Sequence, residues 1–418
     1  MKVVFYSSNS NYFDGSTFHY YNYPSNTKRL NDFLLSRTDL EVIIITQLPG
    51  MFLLDIENNE ISEKSDFIKY YIQEPTVDFI KSFNPDLVIS ASFWVTPFDW
   101  LPVADSLIAE QLISLGFKVI CNSLETSLIC FDKKQTHDFL KNNNFKIAKA
   151  VHCHHELFWA ERNHKEIKEN IYKKTIFEKI KKLKLPLIIK DTTGLSSYGM
   201  EVVTTYNQAI GFLNSKKNNS DKLIEEFLDG FQFGTEIHGN KEKGYFIFNP
   251  FLFSVNQYGI TSPKQSIKLG PVVSSKFKIN ELKKELLRLA ELMDFNGVVQ
   301  VDLVFHNDEW FIIEINPRLS GMTQTLIESK NQHLVMALKL PVLSEKELNI
   351  LKEFDFILHI SQVVNDLAKQ NRESGYCEII FKTDLKNTQL NILKEKIPHL
   401  IDEGFYRQAV NMIKIIDL

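Results

Sequence analysis

This sequence predicts two fold classes in series, α/β and then α+β, and three observations lead there. Over the first 120 or so residues, β-rich apolar runs alternate with helical stretches, which is the pattern of an open parallel sheet. Beyond them, KLIEEFL from Lys222, FIFNPFLF from Phe246 and two runs within residues 297–316 are separated by turns, as in a largely antiparallel sheet. The helical pattern LKKELLRLAELM from Leu282 offers one apolar face to cover it.

The elements follow in chain order. VVFYSS from Val3, VIIIT from Val42, DLVISASF from Asp86 and KVICNS from Lys118 are the expected parallel strands. Residues 76–83 read as a helix, and SLIAEQLISLG from Ser106 as a crossover helix stopped by Gly116. From Leu124 a single helix is expected, closed by Asn142, Asn143 and Asn144. Residues 164–184 repeat lysine at helical spacing, the mark of a solvated face, and lead into the strand LPLIIK ending at Lys190. In the last 75 or so residues, ILHISQVV and EIIFK read as strands that complete the second sheet or form an appendage. The expected domains are 1–122, 123–228, 229–340 and 341–418.

With 418 residues, 44% apolar and 24% charged, the chain suffices for two or three cores. Its formal charge of −4 and sequence pI near 6.3 leave no basic footprint, so small molecules are expected as partners and nucleic acid is not. The longest apolar run, VIIITQLPGMFLL from Val42, is broken by Gln47, Pro49 and Gly50, so no membrane partner is expected. Cys121, Cys130, Cys153 and Cys377 form no CxxC pair, and MKVVFYSS carries no signal-peptide pattern. A cytoplasmic protein is the expectation.

The segment GVVQVDLVFHNDEWFIIEINPRLSGMT, residues 297–323, places Asp302, Glu314, Asn316 and Arg318 within and after two apolar runs. HNDEW is the turn between them. A three-residue loop, Asn307 to Glu309, would set Asp302 opposite Glu314 with Asn316 on the same face. A two-residue loop would send Asp302 to the other face. In the first register, two opposed carboxylates destabilise the hairpin unless a cation lies between them. Magnesium, which takes a few protein oxygens and completes its shell with phosphates and water, suits the set.

Lys190 is followed by DTTGLSSYGM, whose glycines and serines suit a turn or a phosphate-wrapping loop. LIEEFLDGFQFGTEI from Leu223 offers carboxylates and backbone groups at a strand end, where an adenine needs a donor, an acceptor and an apolar bed. Taken singly, Glu225 and Glu226 read as exposed charges.

DKKQTHDFL, LPLIIKDTTGLSSYG, LIEEFLDG and VDL…IIEINPR, in this order and spacing, resemble the ATP-grasp superfamily, in particular its carboxylate-amine ligases of the amino-acid and dipeptide type. The resemblance spans residues 123–340 or so, and the first 122 residues look like the Rossmann-like domain that precedes the ATP-grasp fold in such ligases. The resemblance implies an ATP-grasp fold with a mobile lid, ATP and Mg2+ (with Mn2+ as a substitute) as cofactors, and small-molecule carboxylate and amine substrates, amino acids foremost. It leaves room for a homodimer. By position, Lys133 and Lys190 match the family's phosphate lysines, and Ser196, Ser197 and Gly199 its loop over the phosphates. Glu225, Glu226, Phe227 and Leu228 match the adenine hinge. Gln232 stands where many members carry a ribose-binding glutamate, a departure that puts the ribose contact in question. Asp302, Glu314 and Asn316 match the metal ligands, and Arg318, with Lys190, the catalytic cations.

The implied chemistry is ATP-dependent activation of a carboxylate as an acyl phosphate, followed by attack of an amine, with release of ADP and phosphate. LSGMTQT after the last motif resembles amino-acid ligases more than biotin carboxylases. A metabolite kinase and a nucleotide-sensing protein with little turnover stand as alternatives. His152, Cys153, His154 and His155 alternate faces and are expected in a linker. Trp94, Phe98, Asp99 and Trp100 lie at a strand's carboxyl end and line a substrate pocket or pack a core. Lys268, in SIKLGP, is a candidate contact for a substrate carboxylate, but as a lone lysine it is expected to be exposed.

Overall fold

The computed structural model describes residues 1–8, 18–19, 40–46, 68–92, 101–194, 200–255, 267–320, 322–323, 356–360, 377–381 and 403–416. They form three sheets. The first is parallel, in the order Ile68–Ile72, Glu41–Thr46, Lys2–Ser7, Leu87–Ser90, Val119–Ile120. Its inner strands are buried on both faces, which is why KVVFYS and EVIIIT read as continuous apolar runs. The edge strand Ile68–Ile72 escaped the sequence reading because IKYYI has no such run.

The stretch after Ser123 is two helices, Leu124–Phe131 and Lys133–Asn142, where one was expected. Asp132 breaks them, its side chain accepting from the N–H groups of Lys134 (2.7 Å) and Gln135 (3.1 Å) as an N-cap. The cap makes Lys133 the first residue of the second helix.

A second sheet, four-stranded and antiparallel, runs Ala150–Cys153, Lys222–Glu226, Leu187–Asp191, Glu201–Val203. Ile176 and Ile180 from the helix Ile171–Ile180, with Ala209, Phe212 and Leu213 from Tyr206–Leu213, cover one face. Its first strand overturns the linker expectation for the histidine cluster: Cys153 is buried in this core, and His152 and His154 flank Asp221 on the other face. Among the described residues no group of three or more His, Cys, Asp or Glu side chains is poised to hold a metal.

The third sheet has nine strands. Glu309–Asn316, Gly297–His306, Phe231–Asn240, Phe251–Phe253, Ile267–Gly270, Phe356–Ile360, Cys377–Phe381 and Phe18–His19 follow one another, and Gly244–Ile247 pairs with Phe231–Asn240. The C-terminal strands thus extend this sheet, and Phe18–His19 closes it by parallel pairing with Cys377–Phe381. Leu282, Leu286, Leu289 and Ala290 of the helix Ile279–Leu292 are buried against Phe233, Ile237, Val299, Val301 and Leu303. Alternation leaves Gln232, Glu236, Gln300 and Asp302 on the opposite face.

The first and third sheets are tied together by Asn122, which is buried. Its amide donates to the carbonyls of Pro317 (3.0 Å) and Val298 (3.3 Å), and its oxygen accepts from the Asn296 N–H at 3.0 Å.

Candidate active site

The carboxylate hairpin, Gly297–His306 with Glu309–Asn316, has the shorter, two-residue loop. His306 pairs with Glu309, so only Asn307 and Asp308 turn the chain, both left-handed at φ +49° and +62°. With that loop alone Asp302 and Glu314 would sit on opposite faces. A β-bulge restores the register: Leu303 pairs with Ile312 but Asp302 pairs with Glu314, leaving Ile313 as the extra residue. The parity change is visible in the core, which takes Ile312 before the bulge and Ile315 after it. Gln300 pairs with Asn316 one step along the same face, and its amide donates to Asp302 Oδ1 at 2.7 Å.

Burial pushes the Asp302 carboxyl up to about 7, with Glu314 adding to the rise and Gln300, Arg318 and Lys268 opposing it. Glu314 lies below the usual carboxylate range: burial acts to raise it, but Lys133, Lys190 and Arg318 outweigh burial. Lys133 Nζ is 3.2 Å from Glu314 Oε1 and donates to the Gly194 carbonyl at 2.8 Å. Lys190 Nζ is 2.6 Å from Glu225 Oε2, with only 7% and 12% of the two side chains exposed. Glu225, read singly as an exposed charge, is therefore a buried ion-pair partner, because the strand Lys222–Glu226 puts it diagonally across from Lys190. Glu226 is already engaged: its N–H donates to the Lys149 carbonyl and its carboxylate accepts from the Lys184 N–H, both at 2.9 Å. The Phe227 N–H donates to the Pro186 carbonyl, whereas the Leu228 N–H makes no hydrogen bond to a described residue.

Two adjoining hollows share Lys133 and Glu314. One is lined by Lys190 and Glu225 together with apolar Leu140, Ile147 and Ile312. The other is lined by Pro102, Gly194 and Asn316 among others. Arg318 is buried beside them, its guanidinium donating to the Leu319 carbonyl (3.1 Å) and Asn316 Oδ1 (3.3 Å). Gln232 lies on the same sheet face, in register with Val304. Lys268 is buried, contrary to expectation, because its strand Ile267–Gly270 is an inner one. Ser196, Ser197, Gly199, Trp94, Phe98, Asp99 and Trp100 lie outside the described residues.

Two carboxylates and one amide oxygen on adjacent strands, with the Asp302 carboxyl raised by burial and then by Glu314, are a donor set that fits a magnesium ion completed by phosphate and water. Sequence reasoning missed Gln300, Asn122 and the buried Glu236. Only Gln300 carried a signal, its position two residues before Asp302.

The ATP-grasp domain family matches residues 130–322, which hold every one of these lysines, carboxylates and the arginine. Residues 130–322 form an ATP-grasp domain. A D-alanine–D-alanine ligase from Azobacteroides pseudotrichonymphae is 24% identical to the chain over 230 residues, covering 54% of this chain and 66% of that protein. The chain thus spans just under two-thirds of that relative. Among solved structures, N5-carboxyaminoimidazole ribonucleotide synthetase from Thermus thermophilus superposes with a TM-score of 0.61 at 13% identity, over 96% of this chain and 99% of that one. A biotin carboxylase domain from Hydrogenobacter thermophilus, solved with MgADP and bicarbonate, gives a TM-score of 0.55 at 10% identity, over 90% and 76%. Both likenesses extend beyond the ATP-grasp domain and show a shared fold.

Proposed function

We propose that this protein is an ATP-dependent ligase that activates a carboxylate as an acyl phosphate and joins it to an amine, with an amino acid among its substrates and with release of ADP and phosphate. The observation that carries the reading is the facing of Asp302 and Glu314, with Asn316 and Arg318 at the exit of the same strand and two lysines at the cleft wall.

A carboxylate is a poor electrophile because oxide is a poor leaving group, and phosphorylation supplies a better one. Mg2+ held by Asp302, Glu314 and Asn316 would neutralise phosphate charge in this step, and Mn2+ has the same preference for oxygen donors. Lys133 and Lys190 would exchange their present carboxylate partners for phosphate oxygens as point charges. Arg318 would stabilise charge on the transferring phosphoryl group and then on the tetrahedral oxyanion. The adenine would lie on the apolar wall with the Leu228 N–H as donor. Such catalysis is mainly positioning and electrostatics. The similarity to a D-alanine–D-alanine ligase favours an amino acid as one substrate.

The test is ADP release from MgATP across a matrix of amino acids, singly and in pairs, with hydroxylamine in a parallel set. ADP together with a hydroxamate is the expected result. ADP with a stable phosphorylated metabolite and no hydroxamate would replace the ligase by a kinase.

A further inference from the structure

The strand Phe231–Asn240 carries a fully buried carboxylate, Glu236, that the chemistry above does not use. It lies on the same sheet face as the metal ligands, in one row with Gln300 and Asn316. The side-chain hydrogen bonds of its oxygens lead toward the segment after Arg318 or to a supporting histidine. Oε1 accepts from Ser320 Oγ at 2.8 Å and from Thr323 Oγ1 at 2.6 Å. Oε2 lies 2.7 Å from His238 Nε2, and because a carboxylate accepts, that nitrogen is the one carrying hydrogen. The two hydroxyls are themselves oriented, Ser320 Oγ accepting from the Met322 N–H and Thr323 Oγ1 from the Ser320 N–H, both at 3.0 Å. Each hydroxyl thus has one lone pair engaged by backbone and its single hydrogen committed to Glu236.

Burying a carboxylate is costly, and an apolar side chain would fill the same volume without that cost. What an apolar side chain cannot supply is direction. Met322 packs among Phe248, Phe251 and Phe253, which secures depth but allows the chain to slide. Two hydrogen bonds onto one oxygen fix the segment's angle. Arg318 hangs on that segment, its guanidinium bonded to the adjacent Leu319 carbonyl and to Asn316 Oδ1.

We infer that Glu236 is a positioning residue: through Ser320 and Thr323 it fastens the strand exit to the centre of the sheet and so sets the aim of the Arg318 guanidinium at the transferring group. The consequence for catalysis rests on the ligase reading; the contact itself does not.

Two measurements separate them. In hydrogen exchange on the full chain, Glu236→Gln and the double variant Ser320→Ala/Thr323→Ala should speed exchange in peptides covering residues 317–323 by about tenfold, while residues 298–306 keep wild-type rates. Thr323→Ser, which retains the hydroxyl, should behave as wild type. In calorimetry, MgADP should bind Glu236→Gln as it binds wild type, whereas the tightening produced by adding aluminium fluoride as a phosphoryl mimic should be lost, as in Arg318→Ala. Unchanged exchange in Glu236→Gln would overturn the inference whatever the double variant shows, because the two hydroxyls also accept backbone N–H groups of the segment, and so would a parallel loss of MgADP affinity, the mark of a merely structural residue. If wild type itself shows no fluoride-dependent tightening, the ligase reading fails and the exchange result alone decides the Glu236 contact.

Discussion

Asp302 and Glu314 oppose like charges across one ladder, an arrangement that a hairpin tolerates only with compensation. The compensation is unequal. Lys133 stands 3.2 Å from Glu314, while Asp302 has a neutral amide and more distant cations, and its carboxyl is pushed up to about 7. An aspartate raised in this way keeps its proton in the folded state at pH values where the unfolded chain, near about 3.9, has lost it. Stability of the metal-free protein should therefore fall as pH rises from about 4 through about 7. A thermal scan should show a lower midpoint at pH 8 than at pH 6, with the difference shrinking in Asp302→Asn. On the proposed ligase reading, magnesium at this site would have to displace the same proton, so its affinity should drop by up to about tenfold per pH unit below about 7. Equal magnesium affinity at pH 6 and pH 8 would rule this out.

At the level of the element, the hairpin joins a tight turn to a compensating bulge. The apolar runs and HNDEW turn were legible because alternation and turn chemistry are local, and the facing of the carboxylates was one of two registers weighed from sequence. The bulge was not legible: FIIEI gives no local reason for Ile313 to be the extra residue, which is settled by Ile312 and Ile315 both needing the core. Deleting Ile313 should return Glu314 and Asn316 to the face opposite Asp302 and abolish magnesium-dependent nucleotide binding, measured by calorimetry. Retained magnesium dependence would mean that the strand re-forms its bulge elsewhere. Local signals misled in two places. The run from Leu124 looked like one helix because Asp132 is tolerated in a helical pattern, yet it acts as a cap, and the histidine cluster looked like a linker although its strand is completed by Lys222–Glu226 from far along the chain.

Across the whole molecule, the parallel sheet and the ATP-grasp domain are tied through Asn122, which binds the carbonyl of Pro317 between Asn316, a proposed magnesium ligand, and Arg318. Asn122→Ala would leave that carbonyl and the Asn296 N–H without this partner, a loss of about 1–3 kcal/mol. The denaturation midpoint should fall accordingly, and nucleotide affinity with it; an unchanged midpoint would show that water replaces the amide. The chain by itself determined its classes of secondary structure, its lysines, carboxylates and arginine in ATP-grasp order, and its lack of a long apolar run, since these depend on residue type and short spacing. Only the tertiary structure decided which groups meet. Glu225 with Lys190, Glu236 with Ser320 and Thr323, and Phe18–His19 beside Cys377–Phe381 are pairings across tens to hundreds of residues. Such pairings are fixed by sheet register and by the cost of leaving a buried polar group unpartnered, neither of which any short stretch of sequence contains.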